Sequence, residues 1–264
     1  MRFTVKLGGS ILEDASIRYE ILRQVSSLRA RGSEIIVVHG GGKRLSRRLA
    51  QLNLPSRFID GLRVTDRATL EAALMVLAGE VNKGIVAELG KLGAKAVGIC
   101  GADACAVRCV PLSKGGGSAD GLGFVGRPVS VDAEFFEGLL SHKLVPVVAS
   151  LALGEDFNFY NINADQMASI CAWAAGSGAL VYLTDVPGVR GSDRSILRDL
   201  GRSEIEDLRA REVITGGMLP KTLSCLEALD HGVSSAYILP GASEGILERF
   251  VNGTLAEGTC IHGS

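Results

Sequence analysis

The chain has 264 residues, a formal net charge of -1, 34 glycines and 47 % hydrophobic residues. The nearly balanced charge gives no overall field that would draw nucleic acid or an anionic membrane, and an aromatic share of 5 % argues against a surface that stacks bases or sugars. No apolar run approaches a membrane span and the first residues do not resemble a signal peptide. We therefore expect a cytoplasmic protein whose ligands are small molecules, with no nucleic-acid or membrane partner.

In chain order, short apolar strands alternate with segments of helical period. The predicted strands cover residues 3–7, 35–39, 96–100, 144–149, 180–184, 236–239 and 258–261. Strands that alternate with helices in this way form a mainly parallel sheet covered on both faces. The pattern predicts an α/β fold, a three-layer αβα sandwich, within a single domain that covers residues 1–264.

The first two predicted strands each run directly into a cluster of glycines. They read FTVKLGGS from Phe3 and EIIVVHGGGK from Glu34. Glycines let the backbone approach a ligand, and the following helix points its free amides and positive dipole end at the same place. Lys6 adds a full positive charge next to the first cluster. Two such turns side by side predict a phosphate-binding cradle, although ordinary strand-to-helix turns occur in any α/β protein.

Two segments between the predicted strands do not follow the simple alternation. One long amphipathic helix packed on the core is predicted by apolar residues that recur every three or four positions: Leu70, Leu74, Leu77, Val81, Ile85 and Leu89. Residues 103–131, around SKGGGSADG, are predicted to form short hairpins over the sheet.

Six cysteines occur without a CxxC pair, so neither a zinc site nor a disulfide framework is expected. Cys100, Cys171 and Cys225 lie in apolar segments and are predicted to be buried thiols.

Two motif matches point to other enzymes. GLGFVG, at residues 121–126, fits the dinucleotide pattern GxGxxG, but it leads into a predicted strand where that site requires a helix. GASEG, at residues 241–245, fits the serine-nucleophile pattern GxSxG and does lie between a strand and a helix. The only histidine that follows it is His262, so Ser243 is more simply explained as the N-cap of the helix.

Polar residues in three further motifs could serve a ligand. In YNINADQ, Asn163 is predicted to cap the following helix, which leaves Asn161 and Asp165 without a structural explanation. An acid such as Asp165 could hold lysines in place, and Lys221 in GGMLPK is a candidate near a helix N-terminus. Arg63 in DGLRVTD could grip a carboxylate with its planar fork, although a solvated loop arginine is the default.

Taken together, the motifs VKLGG, VVHGGGK, DGLRVTD, LAGEVNK, GFVG, YNINADQ, LTDVPGV, GGMLPK and EGT resemble, in order and spacing, those of the amino-acid kinase family over essentially the whole chain. The resemblance implies that Lys6 and Lys221 neutralise a transferring phosphoryl group and that Asp165 organises both lysines. The implied substrate-binding residues are Gly41, Gly42, Arg63 and Asn161. The implied nucleotide-binding residues are Gly8, Gly9, Thr184, Asp185, Gly188 and Val189.

The resemblance also implies that the amides of both glycine clusters line the phosphate path. The N-terminal part, about residues 1–175, would hold the amino acid and the dimer contacts, and the C-terminal part, about 176–264, would bind the nucleotide.

The activity that the resemblance implies is transfer of the γ-phosphoryl group of MgATP to the side-chain carboxylate of N-acetyl-L-glutamate, a step of arginine biosynthesis. A carboxylate of pKa about 4 is already ionised at neutral pH, so the reaction needs no general base. Mg²⁺ would be carried mainly by the nucleotide phosphates, and no protein metal ligand is expected.

Two departures from the family pattern affect the expectations. GADACAVRCV, at residues 101–110, has alanine and cysteine where the family more usually has another glycine, so the resemblance does not predict how this hairpin covers the acyl group. Arginine-inhibited members carry an extra helix before the first strand, whereas five residues precede Lys6 here. We therefore expect a homodimer held by apolar faces of the N-terminal part, without feedback by arginine.

Three alternatives remain beside this activity. The same chemistry could act on another acylated acidic amino acid, such as an aminoadipate derivative or N-succinylglutamate, because one methylene or acyl group is worth only about 1–3 kcal/mol. The chain could be a catalytically silent ligand sensor, which the presence of both lysines and Asp165 argues against. A serine hydrolase at Ser243 is the most distant alternative.

Overall fold

The computed structural model describes residues 1–112 and 121–263. The strands are β1 (Arg2–Leu7), β2 (Glu34–His39), β3 (Phe58–Ile59), β4 (Leu62–Arg63), β5 (Ala96–Cys100), β6 (Val107–Pro111), β7 (Val125–Val131), β8 (Val145–Ala149), β9 (Leu151–Leu153), β10 (Phe159–Ile162), β11 (Ala179–Thr184), β12 (Asp199–Leu200), β13 (Ser235–Pro240) and β14 (Thr259–His262). The helices are α1 (Gly9–Glu13), α2 (Ala15–Ala30), α3 (Gly42–Gln51), α4 (Arg67–Ala73), α5 (Asn82–Lys91), α6 (Ala133–Ser141), α7 (Ala164–Ala174), α8 (Arg202–Ala210), α9 (Met218–Asp230) and α10 (Ile246–Val251).

An eight-stranded sheet forms the centre of the molecule, in the order β12-β14-β13-β11-β1-β2-β8-β5. Neighbouring strands from β13 to β5 are parallel, and β14 runs antiparallel to β13. All of the predicted strands belong to this sheet, with bounds within one residue of those predicted. The prediction of a mainly parallel sheet is confirmed. The edge strand β12 was not predicted, because two residues carry no apolar period.

The core lies on both faces of the sheet, which makes three layers. Phe3, Val5 and Leu7 of β1 pack with α2, α5 and α10 on one face. On the other face, Ile36 and Val38 of β2 pack with α6 to α9. Because side chains alternate between the faces of a strand, a continuous apolar strand supplies both cores at once. The αβα sandwich is therefore confirmed.

The remaining strands lie outside the central sheet. The strands β10, β7, β6 and β9 close into a small ring, and β3 pairs with β4 in a separate hairpin. The antiparallel β6–β7 pair confirms a hairpin within residues 103–131. GLGFVG leads into β7, as predicted, so it does not open a helix. Residues 113–120, with most of the SKGGGSADG segment, lie outside the described residues.

The predicted amphipathic helix is interrupted by a change of period. Between α4 and α5, residues Leu74–Val81 form a π-helix, which adds a residue to each turn. The predicted apolar residues still face the core, since Leu70, Val81 and Leu89 are buried. The prediction of one regular helix is wrong at this point, because a 3.6-residue period cannot signal the wider turn.

The hairpin segment at residues 101–110 contains two residues of unusual backbone. Ala104 and Cys105 have φ values of 52° and 54°, in the left-handed region that favours glycine. The carboxylate of Asp103 accepts a hydrogen bond from the Cys100 amide at 2.7 Å, which closes the turn. Cys100, Cys171 and Cys225 are buried, as predicted. Within the part of the chain that the structure describes, no helix is both long and apolar enough to cross a membrane.

Candidate active site

The two glycine turns lie side by side because β1 and β2 are neighbours in the sheet. Lys6 pairs in register with Val38, so Gly8–Gly9 and Gly40–Gly42 follow adjacent strand ends. On the other side of β1, strand β11 ends at Thr184. The carboxyl edge of the sheet therefore carries the predicted nucleotide residues, the first glycine turn and the second glycine turn in that order.

Lys6, Asp165 and Lys221 form a triad at this edge. Lys6 Nζ lies 2.8 Å from Asp165 Oδ1, and Lys221 Nζ lies 3.2 Å from Asp165 Oδ2. The three side chains are only 11 to 13 % exposed, so the ion pairs are well shielded from water. The arrangement joins β1, α7 and α9, and it brings together all three residues of the predicted catalytic group.

Local structure fixes two members of the triad, Asp165 and Lys221. Asp165 lies in the first turn of α7, where Asn163 Oδ1 accepts a hydrogen bond from the Asp165 amide at 2.8 Å. The predicted cap at Asn163 is thus confirmed. Lys221 lies in the first turn of α9 behind Gly217, the N-cap residue. Its ammonium group also sits 5.3 Å from the centre of the Tyr182 ring, within the range of a cation–π contact.

The charge of Asp165 depends on the two lysines. Burial alone would raise the pKa of this carboxyl group, but the charges of Lys6 and Lys221 outweigh burial and hold the pKa below its usual range. The helix N-terminus favours the same ionised form. At neutral pH the triad therefore carries one negative and two positive groups, with a net positive charge that suits an anionic ligand.

A pocket of about 160 Å³ adjoins the second glycine turn and holds Arg63. The residue is 8 % exposed, and its guanidinium donates to Ser56 Oγ at 2.6 Å, Ser46 Oγ at 2.8 Å and the Gly42 carbonyl at 3.0 Å. Among residues 1–112 and 121–263, no carboxylate pairs with it within 4.0 Å. Burial lowers its pKa from the ordinary value, which reflects the cost of an unneutralised charge. Because buried charges in proteins are normally paired, a buried arginine without an acid partner among the described residues is a candidate binding site for an anion.

The other predicted substrate residues line the same pocket. Gly41, Gly42 and Asn161 share it with Arg63. Asn161 Nδ2 donates to Thr65 Oγ at 3.2 Å, and Thr65 Oγ donates to the Arg63 carbonyl at 2.9 Å, so Asn161 and Arg63 are linked. Phe58, in the β3–β4 hairpin, lies 4.6 Å from the Arg63 guanidinium at the pocket wall.

The first glycine turn differs from the expectation at Gly8. Its amide donates to the Leu183 carbonyl at 3.0 Å and is not free to line a phosphate path, so the prediction for this amide is wrong. A Cβ atom at Gly8 would lie 2.7 Å from that carbonyl oxygen, which explains the glycine by the close approach of β1 and β11. Gly9 is exposed at the start of α1 with open space around its Cα.

The predicted nucleotide residues after β11 form one loop. Thr184 Oγ accepts a hydrogen bond from the Val186 amide at 3.3 Å, and Asp185 is exposed at the turn. Gly188 has a φ of 147°, and a Cβ there would lie 2.7 Å from Thr259 Oγ. Thr259 also accepts from the Val189 amide at 2.8 Å. The threonine of the closing EGT motif therefore holds this loop against β14.

Ser243 does not cap a helix, so that prediction is wrong. Helix α10 begins after Gly245, which adopts a left-handed conformation, and the hydroxyl of Ser243 donates to Glu257 Oε2 at 2.7 Å. His262 Nε2 pairs instead with Asp199 Oδ1 at 3.3 Å. Ser243 therefore has an acid partner and no histidine base, which removes the geometric basis for a serine hydrolase.

His39 and Asn82, which sequence reasoning did not single out, lie next to the second glycine turn. They form a buried polar pair behind Gly40, with His39 Nε2 3.0 Å from Asn82 Nδ2. Their signals were a histidine directly before the glycines and an asparagine within an apolar helix. In the described ranges, no group of three or more His, Cys, Asp or Glu side chains could hold a metal ion.

The edge of this αβα sandwich presents two acid-paired lysines, an exposed glycine turn at Gly9 and a pocket that contains a buried arginine. Cationic groups and glycine turns of this kind are typical of enzymes that transfer phosphoryl groups to small molecules. The model of the amino acid kinase family matches residues 1–240, and the chain belongs to this family.

Two named relatives match all or nearly all of the chain. An acetylglutamate kinase of Acidobacterium capsulatum is 46 % identical over 100 % of both chains, and one of Koribacter versatilis is 44 % identical over 98 % of both. Among solved structures, smu.665 from Streptococcus mutans UA159 matches with a TM-score of 0.82 at 26 % identity, covering 99 % of this chain and 98 % of that one. Isopentenyl phosphate kinase shares the fold, with a TM-score of 0.69 at 21 % identity over 99 % of this chain and 100 % of the other.

Proposed function

We propose that the protein transfers the γ-phosphoryl group of MgATP to the side-chain carboxylate of N-acetyl-L-glutamate, a reaction of arginine biosynthesis. The observation that carries the proposal is Arg63, which pairs with no carboxylate of residues 1–112 and 121–263 and lies in a pocket next to the Lys6–Asp165–Lys221 triad. The 46 % identity with an acetylglutamate kinase over the full length of both chains supports the particular substrate.

The pocket suits an acylated acidic amino acid. Arg63 would bind the α-carboxylate with the donors of its planar fork, in place of a protein acid. Asn161 would hydrogen-bond the polar groups of the acylated amine. The side-chain carboxylate would then point along the second glycine turn towards the triad. A volume of about 160 Å³ fits a compact ligand better than a large one.

The triad would stabilise the transferring phosphoryl group. Its negative charge is spread over three oxygens during transfer, and the two ammonium groups face it from β1 and α9. Asp165 would keep the lysines at a fixed spacing without accepting a proton, because its pKa is already lowered. The nucleophile is ionised at neutral pH, so the triad has to align and screen two anions and needs no base.

The nucleotide would lie over the loop from Thr184 to Val189, at the C-terminal side of the sheet edge. In this proposal the N-terminal part, about residues 1–175, holds the amino acid, and the C-terminal part, about 176–264, holds ATP. Mg²⁺ on the nucleotide phosphates supplies charge neutralisation when bound. The acid-paired lysines and the Gly9 turn fit a phosphate chain, because they are cationic or expose backbone amides to an anion.

An assay of ADP release against a panel of acylated acids tests this function. N-acetyl-L-glutamate should give the highest kcat/KM, with N-acetylaminoadipate and N-succinylglutamate below it. Removal of Mg²⁺ with a chelator should abolish turnover. A higher kcat/KM for one of the other acids would assign the same chemistry to that substrate, and turnover of none of them would favour the ligand-sensor alternative.

We further propose a homodimer. Leu52 and Met75, both in the N-terminal part, are 46 % and 58 % exposed and would be shielded by a second copy. Light scattering should give twice the chain mass, and a hexamer or monomer would contradict the proposal. The absence of feedback by arginine stays a prediction, which the same ADP assay checks with added arginine.

A further inference from the structure

A buried polar pair, His39 and Asn82, supports the second glycine turn from behind. Both residues are fully buried. His39 Nδ1 lies 2.8 Å from the Gly40 carbonyl oxygen, and His39 Nε2 lies 3.0 Å from Asn82 Nδ2. The same Asn82 nitrogen donates to the Val147 carbonyl at 2.9 Å. The pair therefore connects the glycine turn to strand β8 and to the start of α5.

These contacts allow only one arrangement of protons on the histidine. The Gly40 carbonyl oxygen can only accept a hydrogen bond, so the ring proton must sit on Nδ1, and Nε2 is left as the acceptor that faces the Asn82 amide nitrogen. Nδ1–H therefore donates to the Gly40 carbonyl. Burial lowers the pKa of His39 to about 4, so the ring stays neutral in the physiological range.

The histidine thereby sets the direction of the next amide. The peptide bond between Gly40 and Gly41 is trans, so the Gly41 N–H points away from the carbonyl that His39 holds. Gly41 is buried and lines the Arg63 pocket. No acceptor for its N–H occurs in residues 1–112 or 121–263. A buried amide that the protein leaves unpaired is a donor available to a ligand.

The π-helical segment holds the same turn from the other side. A Cβ at Gly41 would lie 2.8 Å from Leu77 Cδ2 and 3.3 Å from Val81 Cγ2, and its φ of 153° also favours glycine. Asn82 directly follows this segment. Gly98 has no room for a Cβ, which would overlap the Asn82 amide oxygen. The π-helical segment therefore places Leu77 and Val81 against Gly41, and it positions Asn82 next to His39.

We propose that His39 is a positioning residue, fixed by Asn82, that aims the Gly41 amide at the acceptor carboxylate. This inference rests on the proposed function. An amide that is aimed before the substrate arrives needs no reorganisation during phosphoryl transfer. The histidine acts through the backbone and does not touch the substrate.

Two substitutions at His39 separate its hydrogen bonds. His39→Asn keeps a donor at the position of Nδ1 and loses the contact with Asn82. His39→Gln keeps a polar atom at the position of Nε2 and loses the bond to the Gly40 carbonyl. Each variant loses one buried hydrogen bond, so their urea midpoints should be similar. We expect kcat with N-acetylglutamate to fall about 10- to 100-fold in the glutamine variant and less than about threefold in the asparagine variant, with KM for ATP unchanged in both.

Equal losses of kcat in the two variants, or losses that follow the urea midpoints, would overturn the positioning role. Should the glutamine variant not fold, the wild-type protein labelled with ¹⁵N-glycine provides a second test. Its Gly41 amide proton should shift downfield on addition of N-acetylglutamate, and an unchanged position would also overturn the role. A wild-type protein that does not turn over N-acetylglutamate would refute the proposed function instead.

Discussion

Replacing Asp165 by asparagine removes the one acid that two shielded lysines share. In the wild-type protein, Lys6 Nζ and Lys221 Nζ lie 2.8 and 3.2 Å from its two oxygens. The asparagine side chain would present the same shape without the charge, and its amide nitrogen would face one ammonium group. The perturbation is therefore electrostatic and leaves the volume of the core unchanged.

The magnitude follows from the spacing of the charges. At an effective dielectric constant of about 20, two unit charges about 5 Å apart repel each other by about 3 kcal/mol, which sets the scale for two ammonium groups that face one side chain without its negative charge. Removing one partner of a shielded ion pair costs about 3–5 kcal/mol in general. We expect Asp165→Asn to lose about 3 kcal/mol of unfolding free energy, or about 10 °C in Tm. The lysines would move apart, and kcat should fall about 100-fold or more.

Urea unfolding and ADP release measure the two effects separately. A double variant that adds Lys221→Met to Asp165→Asn serves as the control. It removes the repulsion between Lys6 and Lys221, while the triad still lacks charged groups that it needs for catalysis. Its stability should recover towards the wild-type value while kcat stays low. If Asp165→Asn unfolds at the wild-type urea midpoint, or if the double variant is less stable than the single one, the electrostatic reasoning is refuted.

Three further predictions address single groups. Lys6→Ala and Lys221→Ala should each lower kcat about 100- to 1000-fold with a modest change in KM, since each ammonium acts mainly on the transition state; wild-type turnover in both variants would contradict the triad's role. Arg63→Lys should raise KM for the acylated amino acid at least about tenfold with kcat nearly retained, because the charge stays but the fork that holds a carboxylate is lost; initial rates over a range of acid concentrations decide this, and an effect on kcat alone would count against a binding role. Lowering the pH from about 7.5 to 5 should destabilise the fold by about 2 kcal/mol through His39, because the unfolded ring binds a proton near its ordinary pKa of 6.5 while the buried ring, with a pKa of about 4, stays neutral. His39→Asn should lack this part of the pH dependence in urea unfolding, and an identical pH dependence in both proteins would show that His39 is not the group responsible.

The sequence predicted the sheet well because its strands are continuous apolar runs buried on both faces. Strand β5 has the predicted bounds, Ala96–Cys100, and the other strands of the central sheet that were predicted differ by one residue at most at either end. The π segment was missed because its apolar residues keep the spacing of three and four that indicates a regular α-helix, and the edge strand β12 was missed because two residues are too few to show a period. The prediction that Ser243 caps a helix was wrong because Gly245 is the N-cap residue of α10, and this helix begins without a side-chain cap.

The site was predictable only in part. Lys221 and Asp165 are 56 residues apart, and no spacing rule would pair them without a resemblance to a family. The most informative property of Arg63 is that no carboxylate in the described part of the chain pairs with it, which only the three-dimensional structure reveals. His39 was not identified because a histidine at the end of an apolar strand can be interpreted as a core residue. Its proposed role also depends on Asn82, which lies 43 residues away in the sequence.

The strand order β11-β1-β2 has a consequence for the length of the reaction path. Adjacent strands are about 4.8 Å apart, so the loop after β11, which is proposed to bind the nucleotide, and the turn after β2, which is proposed to bind the acceptor, are separated by about 10 Å, with Lys6 on the strand between them. Backbone hydrogen bonds set this separation, and side chains do not alter it. Proteins with this fold could therefore differ in the acid that they accept, while the sheet keeps the distance between the ends of β11 and β2 constant.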